Sequence, residues 1–415
     1  MGSKRPDRRE FLKGGAALAG GFTLGAVAPA IGQPPASPKM IKGDKDQIAY
    51  GDRSRFVTSV RIAHGGRPSP DAFGLVFHVA APLQDSVGVI TPSSLHFVGT
   101  TRGSYIPDID PRQHTLMIHG LVDRPLTFTM DDLKRLPSVT RLHFIECAGN
   151  RSSPRAKTVQ ESHGMTSCAE WTGVLLSTLL KECGLKGSAK WFVAEGAEEV
   201  KGASSMPIAK AMDDCILAYG MNGEAVRPQN GFPLRLMVPG FEGIFHTKWV
   251  RRIKVVDQYY INYNDFGHLD QDAKEAALGY QIGPKSVITF PSGSQQLPGR
   301  GFYEISGLAW SGGGAIRKVE VSTDGGKSWK VAEFKGTPQR MAHTRFGLPW
   351  NWDGTETVIM SRCTDELGSV QPSRVQVAEH FHKPIDPSFS VPGLDNSIQP
   401  WHIASDGSVT NGYNA

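Results

Sequence analysis

The sequence predicts an α+β domain followed by an all-β domain, and two observations support this division. From about residue 55 to 284 the chain mixes strand-like and helix-like patterns, without the strict strand–helix alternation typical of a parallel sheet. After Pro284 the helical periodicity disappears, and short alternating segments are separated by turns every ~8–12 residues. This second pattern predicts a β-sandwich of about 100 residues.

Elements of the first domain follow from local patterns, taken in chain order. A helix is predicted over 130–136, which has acidic residues in its first turn and basic residues at its end. A second helix is predicted over 174–183 and is stopped by Gly184. Runs of β-branched, aromatic and other apolar residues predict strands at 115–120, 142–145, 191–194 and 234–238.

The second domain shows a hairpin signal. Residues 316–333 form two alternating runs around Asp324-Gly325-Gly326, and residues 357–363 predict a further strand. From about residue 385 the chain is rich in Pro, Ser, Asn and Gly, so we expect a tail that wraps the surface. The predicted boundaries are therefore 55–284, 285–385 and 386–415.

The first 30 residues have the features of an export signal. A basic segment precedes a Gly/Ala-rich apolar stretch, and Ala28-Pro29-Ala30 resembles a cleavage site. Arg8-Arg9 followed by Phe-Leu-Lys indicates the twin-arginine route, which exports folded proteins. We expect a signal peptide at 1–30, a Pro-rich linker or arm at 31–54, and a mature protein in the periplasm. The alternative is the basic helical N-terminus of a cytosolic protein.

Charge and cysteine spacing exclude several classes of protein. The formal net charge is +5, and about +2 once the signal peptide is removed, which argues against nucleic-acid binding. The apolar stretch of the signal is shorter than the ~20 residues of a membrane span, so no stable membrane insertion is expected. No two of the five cysteines stand as Cys-x-x-Cys, which argues against a zinc site, a dense disulfide framework and a covalently attached c-type haem.

Cys147 is the residue with the strongest chemical implication. It follows a short strand and precedes Ala-Gly-Asn-Arg, so its sulfur is predicted at a strand end, where loops carry function. A soft thiolate suits a soft or high-valent metal centre, and the nearby Arg151 is expected to lower the pKa of the thiol. The alternative is an inert buried cysteine, which is common for unpaired cysteines.

A series of motifs in matching order resembles the molybdopterin domain of the sulfite oxidase family, from about Leu95 to Asp257. The segments are 96–98 (HFV), 144–151 (FIECAGNR), 168–173 (CAEWTG), 202–207 (GASSMP), 217–223 (LAYGMNG), 231–235 (GFPLR), 238–240 (VPG) and 247–249 (TKW). Residues 309–314 (AWSGGG) and 322–329 (STDGGKSW) resemble the Ig-like dimerisation domain of that family. The resemblance implies a sulfite-oxidase-like molybdopterin domain followed by an Ig-like β-sandwich dimerisation domain. Residues 107–111 and 117–125 look most like its sulfane dehydrogenase branch.

The resemblance also implies a molybdenum-molybdopterin cofactor and roles for single residues. Cys147 corresponds to the thiolate ligand of molybdenum. Arg151 and Tyr263 correspond to further catalytic residues, with Tyr259 and Tyr260 as rivals for the tyrosine. Ser152 and Trp171 correspond to the substrate pocket. The implied cofactor-binding positions, in addition to Cys147, are Gly99, Thr101, Glu198, Asn230, Arg235, His246 and Lys248.

Three of these positions depart from the sulfite oxidase pattern in a way that concerns the substrate. Sulfite oxidases carry arginines where this chain has Gly99 and Ser152, and a histidine where it has Thr101. In that family the arginines help to hold a small oxyanion. A pocket without them suits a neutral or protein-carried sulfur better, although Arg102 or Arg151 could substitute in part. Glu198 and Asn230 stand where the family usually has aspartate and often has histidine.

The resemblance therefore implies a periplasmic molybdenum oxidoreductase that oxidises inorganic or carrier-bound sulfur. The expected partners are a c-type cytochrome as electron acceptor, a sulfur-carrier protein, and a second copy in a homodimer or in a heterotetramer with the cytochrome. One alternative is a reductase of the methionine sulfoxide type, which is ranked lower because that group lacks the Ig-like domain. The other is an inactive exported binding protein, which a metal analysis would distinguish.

Overall fold

The structure is a computed structural model that describes residues 53–54, 56–68, 75–99, 106–198, 203–260, 281–380, 382 and 394–414. The chain divides into two compact units, Met1–Ser59 and Val60–Ala415, and every helix and strand given below belongs to the second. In the described part of the first unit, the Val57 amide donates to the Ser54 carbonyl. No helix among the described residues is long and apolar enough to cross a bilayer.

Three sheets lie in the described part of the first domain. The first has the order β1-β2-β3, from Ile62–Pro68, Leu75–Ala80 and Val98–Gly99. The second has the order β11-β10-β7-β6, with β12 also paired to β10, from Ser138–Glu146 (β6), Thr166–Leu175 (β7), Ile216–Met221 (β10), Glu224–Ala225 (β11) and Arg235–Met237 (β12). The third has the order β5-β4-β13-β8-β9, from Thr115–Gly120 (β4), Leu126–Thr129 (β5), Trp191–Gly196 (β8), Ala203–Pro207 (β9) and Val250–Val256 (β13).

Short helices connect these strands. Their bounds are Met130–Arg135 (α1), Val159–His163 (α2), Leu176–Cys183 (α3) and Ile208–Asp213 (α4), and a fifth helix in the second domain is Arg374–His380 (α5). The first begins at a capping box, in which the Thr129 hydroxyl accepts from the Asp132 amide and the Asp132 carboxylate accepts from the Thr129 amide. This reciprocal cap explains why the acidic first turn seen in the sequence starts a helix there.

The second domain is a sandwich of two sheets. One sheet has the order β14-β15-β19-β18, from Lys285–Phe290 (β14), Gly301–Trp310 (β15), Glu333–Phe334 (β18) and Thr344–Trp352 (β19). The other has the order β17-β16-β20-β21-β22, from Ile316–Ser322 (β16), Lys330–Val331 (β17), Thr357–Asp365 (β20), Pro400–Ile403 (β21) and Val409–Asn411 (β22). The predicted α+β domain followed by a β-sandwich is thereby confirmed.

Two local expectations are corrected by the structure. The helix expected from Val174 begins at Leu176, because Val174 and Leu175 pair with Leu217 and Ile216 as the end of β7. The region expected to be a surface tail contains β21 and β22, which extend a sheet of the sandwich. Trp401 in β21 is fully buried, and its Nε1 donates to the Ile288 carbonyl at 3.1 Å. Composition alone did not reveal this strand addition.

The two domains share one hydrophobic core. A cluster of buried side chains runs from Phe144 and Trp171 in the first domain to Trp310, Val319 and Trp401 in the sandwich. The Phe144 ring lies 6.5 Å from that of Trp310, centroid to centroid. Since Phe144 is on the strand that leads to Cys147, the sandwich packs directly behind that strand.

Candidate functional site

A cleft lies at the end of β6, and Cys147 lines it. Its walls come from β3, the loop after β6, the 3₁₀ turn at Pro228–Asn230, and the loop between β12 and β13. The lining residues are His78, His96, Phe97, Val98, Gly99, Ile145, Cys147, Glu198, Gln229, Asn230, Arg235, Glu242, Gly243, Ile244, His246, Thr247, Lys248 and Trp249. Seven of the residues predicted from sequence therefore face one cavity: Gly99, Cys147, Glu198, Asn230, Arg235, His246 and Lys248.

Backbone and amide contacts hold the turn that carries Cys147. The Cys147 amide donates to the Met165 carbonyl at 3.0 Å, and the Asn150 amide donates to the Cys147 carbonyl at 2.9 Å. The Asn150 side chain closes the turn, because its Oδ1 accepts from the Met165 amide at 2.9 Å and its Nδ2 donates to Glu146 at 2.8 Å. Among the described residues, the sulfur accepts only a long contact of 3.5 Å, from the Gly149 amide. The turn that carries the thiol is thus fixed in place, while the surrounding protein makes little use of the sulfur as a hydrogen-bond acceptor.

Burial outweighs the expected effect of Arg151 on the thiol. Burial, followed by the charge of Glu242, raises the pKa of Cys147 to about 12. The Arg151 charge acts in the expected direction but is the weakest of the contributions. Its Nη2 donates to the Ala148 carbonyl at 2.9 Å. A thiolate at this position therefore requires a cation brought by a ligand, and metal coordination is the ordinary way to deprotonate such a thiol.

Arg235 is a buried cation facing the cleft. Only 5% of the residue is exposed, and burial lowers its pKa to about 9. Its Nη1 donates to the Asn230 carbonyl at 2.7 Å, and its guanidinium lies 5.5 Å from the centre of the Trp171 ring. Within the described residues it forms no ion pair, and its Nε has no hydrogen-bond partner. A buried guanidinium without a counter-charge is costly, so an anionic ligand would stabilise it.

Lys248 is a second cation on the same wall. Its Nζ donates to the carbonyls of Gly99 at 3.0 Å and Gln229 at 3.3 Å, and lies 4.7 Å from the centre of the Trp249 ring. Burial and the charge of Arg235 lower its pKa to about 7, while Glu198 acts in the opposite direction. No carboxylate lies within ion-pair distance of this ammonium in the described part of the chain. Together with Arg235 it forms a site for a negatively charged group.

Two acceptors complete the polar lining. Asn230 is 1% exposed, and its Oδ1 has no hydrogen-bond partner among the residues that the structure describes. Nε2 of His96 likewise has no hydrogen-bond partner among the described residues. Burial lowers the pKa of His96 to about 3, and its Nδ1 lies 2.9 Å from the Phe97 carbonyl. A neutral ring that donates through Nδ1 presents a lone pair at Nε2. The cleft therefore fits a ligand with both an anionic group and N–H donors.

His246 lines the cleft but is bonded to the backbone at both ring nitrogens. Its Nδ1 accepts from the Val238 amide at 3.3 Å, and its Nε2 donates to the Phe241 carbonyl at 3.1 Å. Burial keeps its pKa far below the usual value, so the ring is neutral. The geometry assigns it to holding the 238–246 loop, rather than to offering a nitrogen to a ligand.

The five remaining predicted residues fall outside the cleft or outside the described residues, and Arg151, described above, is among those that do not line the cleft. Ser152 is 5% exposed and its hydroxyl donates to the Ser397 carbonyl at 3.2 Å, so it faces the C-terminal segment and not the cleft. Trp171 is fully buried behind the cleft wall, and its Nε1 donates to the His143 carbonyl at 3.2 Å. Neither residue lines the cleft, and their place in a substrate pocket stays a prediction. Thr101 and Tyr263 lie outside the described residues.

Sequence reasoning missed Glu242, His96 and His78 as lining residues. Glu242 is 2% exposed, and its charge is the largest influence on the pKa of the thiol after burial itself. His96 belongs to one of the motifs that resemble the family, and that motif could have identified it as a site residue. His78 lies on β2, directly across from Gly99 in the strand pairing, and only the fold brings it to the cleft.

Comparison with known families gives two matches that follow each other along the chain. Residues 103–264 match the family described as oxidoreductase molybdopterin binding domain. Residues 277–379 match the family described as Mo-co oxidoreductase dimerisation domain. The first match includes Cys147 and most of the cleft, and the second covers most of the sandwich.

Similar proteins fall into two groups. The solved sulfane dehydrogenase SoxCD from Paracoccus pantotrophus matches with 36% identity and a TM-score of 0.81, over 93% of this chain and 99% of that chain. Nitrate reductase [NAD(P)H] of Hordeum vulgare is 35% identical over 71% of this chain and 38% of its own length. Nitrate reductase [NADH] 1 of Phaseolus vulgaris is 34% identical over 64% of this chain and 34% of its own length. The chain thus spans about a third of the length of these curated relatives.

Proposed function

Because the chain belongs to the sulfite oxidase family of molybdopterin oxidoreductases, we propose that it is a molybdenum-dependent dehydrogenase of sulfane or sulfite sulfur. The observation that carries the proposal is the likeness to the solved sulfane dehydrogenase, which extends over both domains and nearly the whole of that chain. Gly99 in the cleft adds support, because a cation for a small free oxyanion is missing at that position. Whether the substrate is sulfane or sulfite sulfur, the chain is a molybdenum oxidoreductase.

The residues of the cleft fit the molybdenum-molybdopterin cofactor. Cys147 would supply the one protein ligand to the metal. Arg235 and Lys248 would hold the phosphate, since Arg235 is buried, Lys248 is half-buried, and neither forms an ion pair among the described residues. His96 and Asn230 offer acceptors for the N–H groups of the pterin. When bound, the cofactor supplies two-electron redox chemistry at the metal.

The residues of the chain itself position the Cys147 sulfur, keep water away from it and control its proton. Burial and Glu242 raise the pKa of the Cys147 thiol, so the sulfur would have to lose its proton in order to bind a metal. The Met165 and Asn150 contacts fix the turn so that the sulfur need not be reoriented on binding. Neutral His96 and His246 add no positive charge beside the metal site.

The overall reaction requires an electron acceptor. Each oxygen atom that is transferred from water to sulfur releases two electrons and two protons. The chain contains no Cys-x-x-Cys-His sequence for attaching a haem. We therefore propose that a separate c-type cytochrome accepts the electrons, and that a sulfur-carrier protein presents the substrate.

Kinetic assays test this function directly. The purified holoenzyme is assayed for kcat/KM on sulfite and on a persulfidated carrier peptide, with a c-type cytochrome as acceptor. We expect turnover on sulfur with the peptide preferred. The similarity to nitrate reductases makes nitrate reduction the competing function, so nitrate is assayed with a reduced viologen dye. Nitrate turnover without sulfur oxidation would overturn the proposal, as would a purified wild-type protein that binds no molybdenum.

Export by the twin-arginine route is proposed from the sequence pattern at Arg8-Arg9. We expect the double substitution Arg8→Lys and Arg9→Lys to keep the protein in the cytoplasm, because this route requires the arginine pair. Cell fractionation and immunoblotting measure the distribution. Arg5→Lys, which changes an arginine outside the pair, serves as the control and leaves export intact. Equal amounts of the doubly substituted and wild-type proteins in the periplasm would contradict the proposal.

A homodimer is proposed through the sandwich, because residues 277–379 match a dimerisation family. The exposed side chains on this domain include Phe302 and Val331, which are 68% and 64% exposed. We expect light scattering of the holoenzyme to give about twice the mass of one chain, or a larger mass when the cytochrome is bound. A stable monomer at micromolar concentration would rule the dimer out.

A further inference from the structure

Glu146, the residue immediately before Cys147, is the centre of a buried polar cluster. It is 1% exposed, and its two carboxylate oxygens accept three hydrogen bonds. Oε1 accepts from Lys285 Nζ at 2.5 Å and from Asn150 Nδ2 at 2.8 Å, and Oε2 accepts from Trp310 Nε1 at 2.6 Å. The cluster is separate from the cleft residues that are expected to hold the cofactor.

Two of the three donors come from the other domain. Lys285 is the first residue of β14 and Trp310 is the last residue of β15, and the two face each other in the antiparallel pairing. Lys285 is 2% exposed and Trp310 is fully buried. The end of one sheet of the sandwich therefore presents two donors, side by side, to the carboxylate next to Cys147.

The ammonium of Lys285 holds the turn at both of its ends. It pairs with Glu146, which precedes Cys147, and it donates to the carbonyl of Asn150, which follows, at 2.8 Å. Asn150 in turn bonds the Cys147 and Met165 backbone. Displacing the ammonium would therefore release the turn on both sides of the sulfur.

Energetics favour a positioning role for this cluster over a stabilising one. A buried ion pair contributes little net stability, because both groups lose their hydration, but removing one partner leaves an uncompensated charge. Such pairs are best attested as devices that select one geometry. Here, the bonds to Glu146 and Asn150 leave few alternative arrangements of the turn.

We propose that Lys285 and Trp310 form a latch on Glu146 through which the C-terminal sandwich positions the Cys147 turn for its metal. The latch consists of these three side chains, and its residues are positioning residues. The inference rests on the proposed function only in that Cys147 binds molybdenum. It assigns to the sandwich a task within the molybdenum site, in addition to contact with a second copy.

Lys285→Met tests the latch in the holoenzyme. Methionine keeps an unbranched apolar chain but loses the ammonium, so the turn loses its contacts at both ends. Mutation of a residue that supports a metal ligand typically lowers metal affinity or activity by about 10- to 100-fold. We expect a loss of kcat in that range, a lower ratio of molybdenum to protein, and an altered electron paramagnetic resonance spectrum of the partly reduced enzyme.

Lys318→Met is the matched control. Lys318 also lies on the sandwich and pairs with a glutamate, Glu320 at 3.2 Å, but within its own strand and with 45% of its side chain exposed. This variant should keep the wild-type molybdenum content and spectrum. If Lys285→Met fails to fold, Trp310→Phe provides the same readouts, because it removes only one donor from Glu146.

The outcomes separate the latch from the proposed function. Full molybdenum loading, an unchanged spectrum and wild-type kcat in the folded Lys285→Met or Trp310→Phe variant would overturn the latch. The proposed function would then still stand, because it is tested on the wild-type protein. An altered spectrum in the latch variant, with Lys318→Met unchanged, would support the positioning role, since a loss of overall stability alone would not change the metal signal.

Discussion

Cys147→Ser is expected to abolish turnover while the fold stays intact. The serine oxygen is a harder ligand than a thiolate and suits a high-valent sulfur-ligated metal poorly. Changes to residues that merely support a metal ligand already cost about 10- to 100-fold, so loss of the ligand itself should exceed about 100-fold in kcat. The fold should tolerate the change, because within the described part of the chain the sulfur accepts only one long contact, from Gly149 at 3.5 Å. Steady-state kinetics, molybdenum analysis and thermal unfolding measure the three effects.

Cys168→Ser provides a matched control for this experiment. Cys168 lies on β7, the neighbour of β6, and its sulfur likewise accepts one contact of 3.5 Å, from the His343 amide. It is fully buried and does not line the cleft. This variant should therefore retain turnover. Wild-type kcat in purified Cys147→Ser would contradict the assignment of Cys147 as the metal ligand.

Preference for carrier-bound sulfur over free sulfite is the second large expected effect. A charge-assisted hydrogen bond contributes about 1.5–3 kcal/mol, so the absence of an arginine at Gly99 corresponds to a loss of about 10- to 100-fold in sulfite binding. A sulfur on a peptide arm gains binding energy from contacts away from the metal. The expected result is a higher kcat/KM for the persulfidated peptide at physiological salt. A clear preference for sulfite would mean that another basic group holds the oxyanion.

Gly99→Arg tests whether this position controls the preference. A Cβ at Gly99 would lie 3.7 Å from His78 Nδ1 and 3.8 Å from the Phe97 ring, which is ordinary contact, so a side chain can be built there. We expect kcat/KM for sulfite to rise by about 10- to 100-fold, the value of one charge-assisted bond. Ser152 is not equivalent, because it faces Ser397 instead of the cleft.

Gly99→Met separates the effect of charge from that of bulk. Methionine occupies the cleft but carries no charge, and the Gly99 carbonyl that accepts from Lys248 is unchanged in both variants. The kcat/KM for sulfite should then rise only in the Gly99→Arg variant. Equal kinetics in the two variants would show that charge at this position does not select the substrate.

Much of the fold and of the site could be predicted because the signals are local. The strand at Thr115–Gly120 agrees with its predicted range, and the helix at Met130–Arg135 differs only at its last residue. Alternating hydrophobicity and a capping box act within a few residues, so a single sequence shows them. The order of motifs around Cys147, Arg235 and Lys248 likewise indicated one site, and all three line the cleft.

Tertiary structure alone decided which side chains face that cleft and what surrounds them. The sequence by itself determined that Cys147 ends a strand, but the high pKa of its thiol depends on burial and on Glu242, 95 positions away. It did not show that Ser152 and Trp171 turn away from the cleft, or that Trp401 completes the sandwich core. These outcomes depend on long-range packing, because burial and electrostatic fields are set by chain segments that meet only in the folded state.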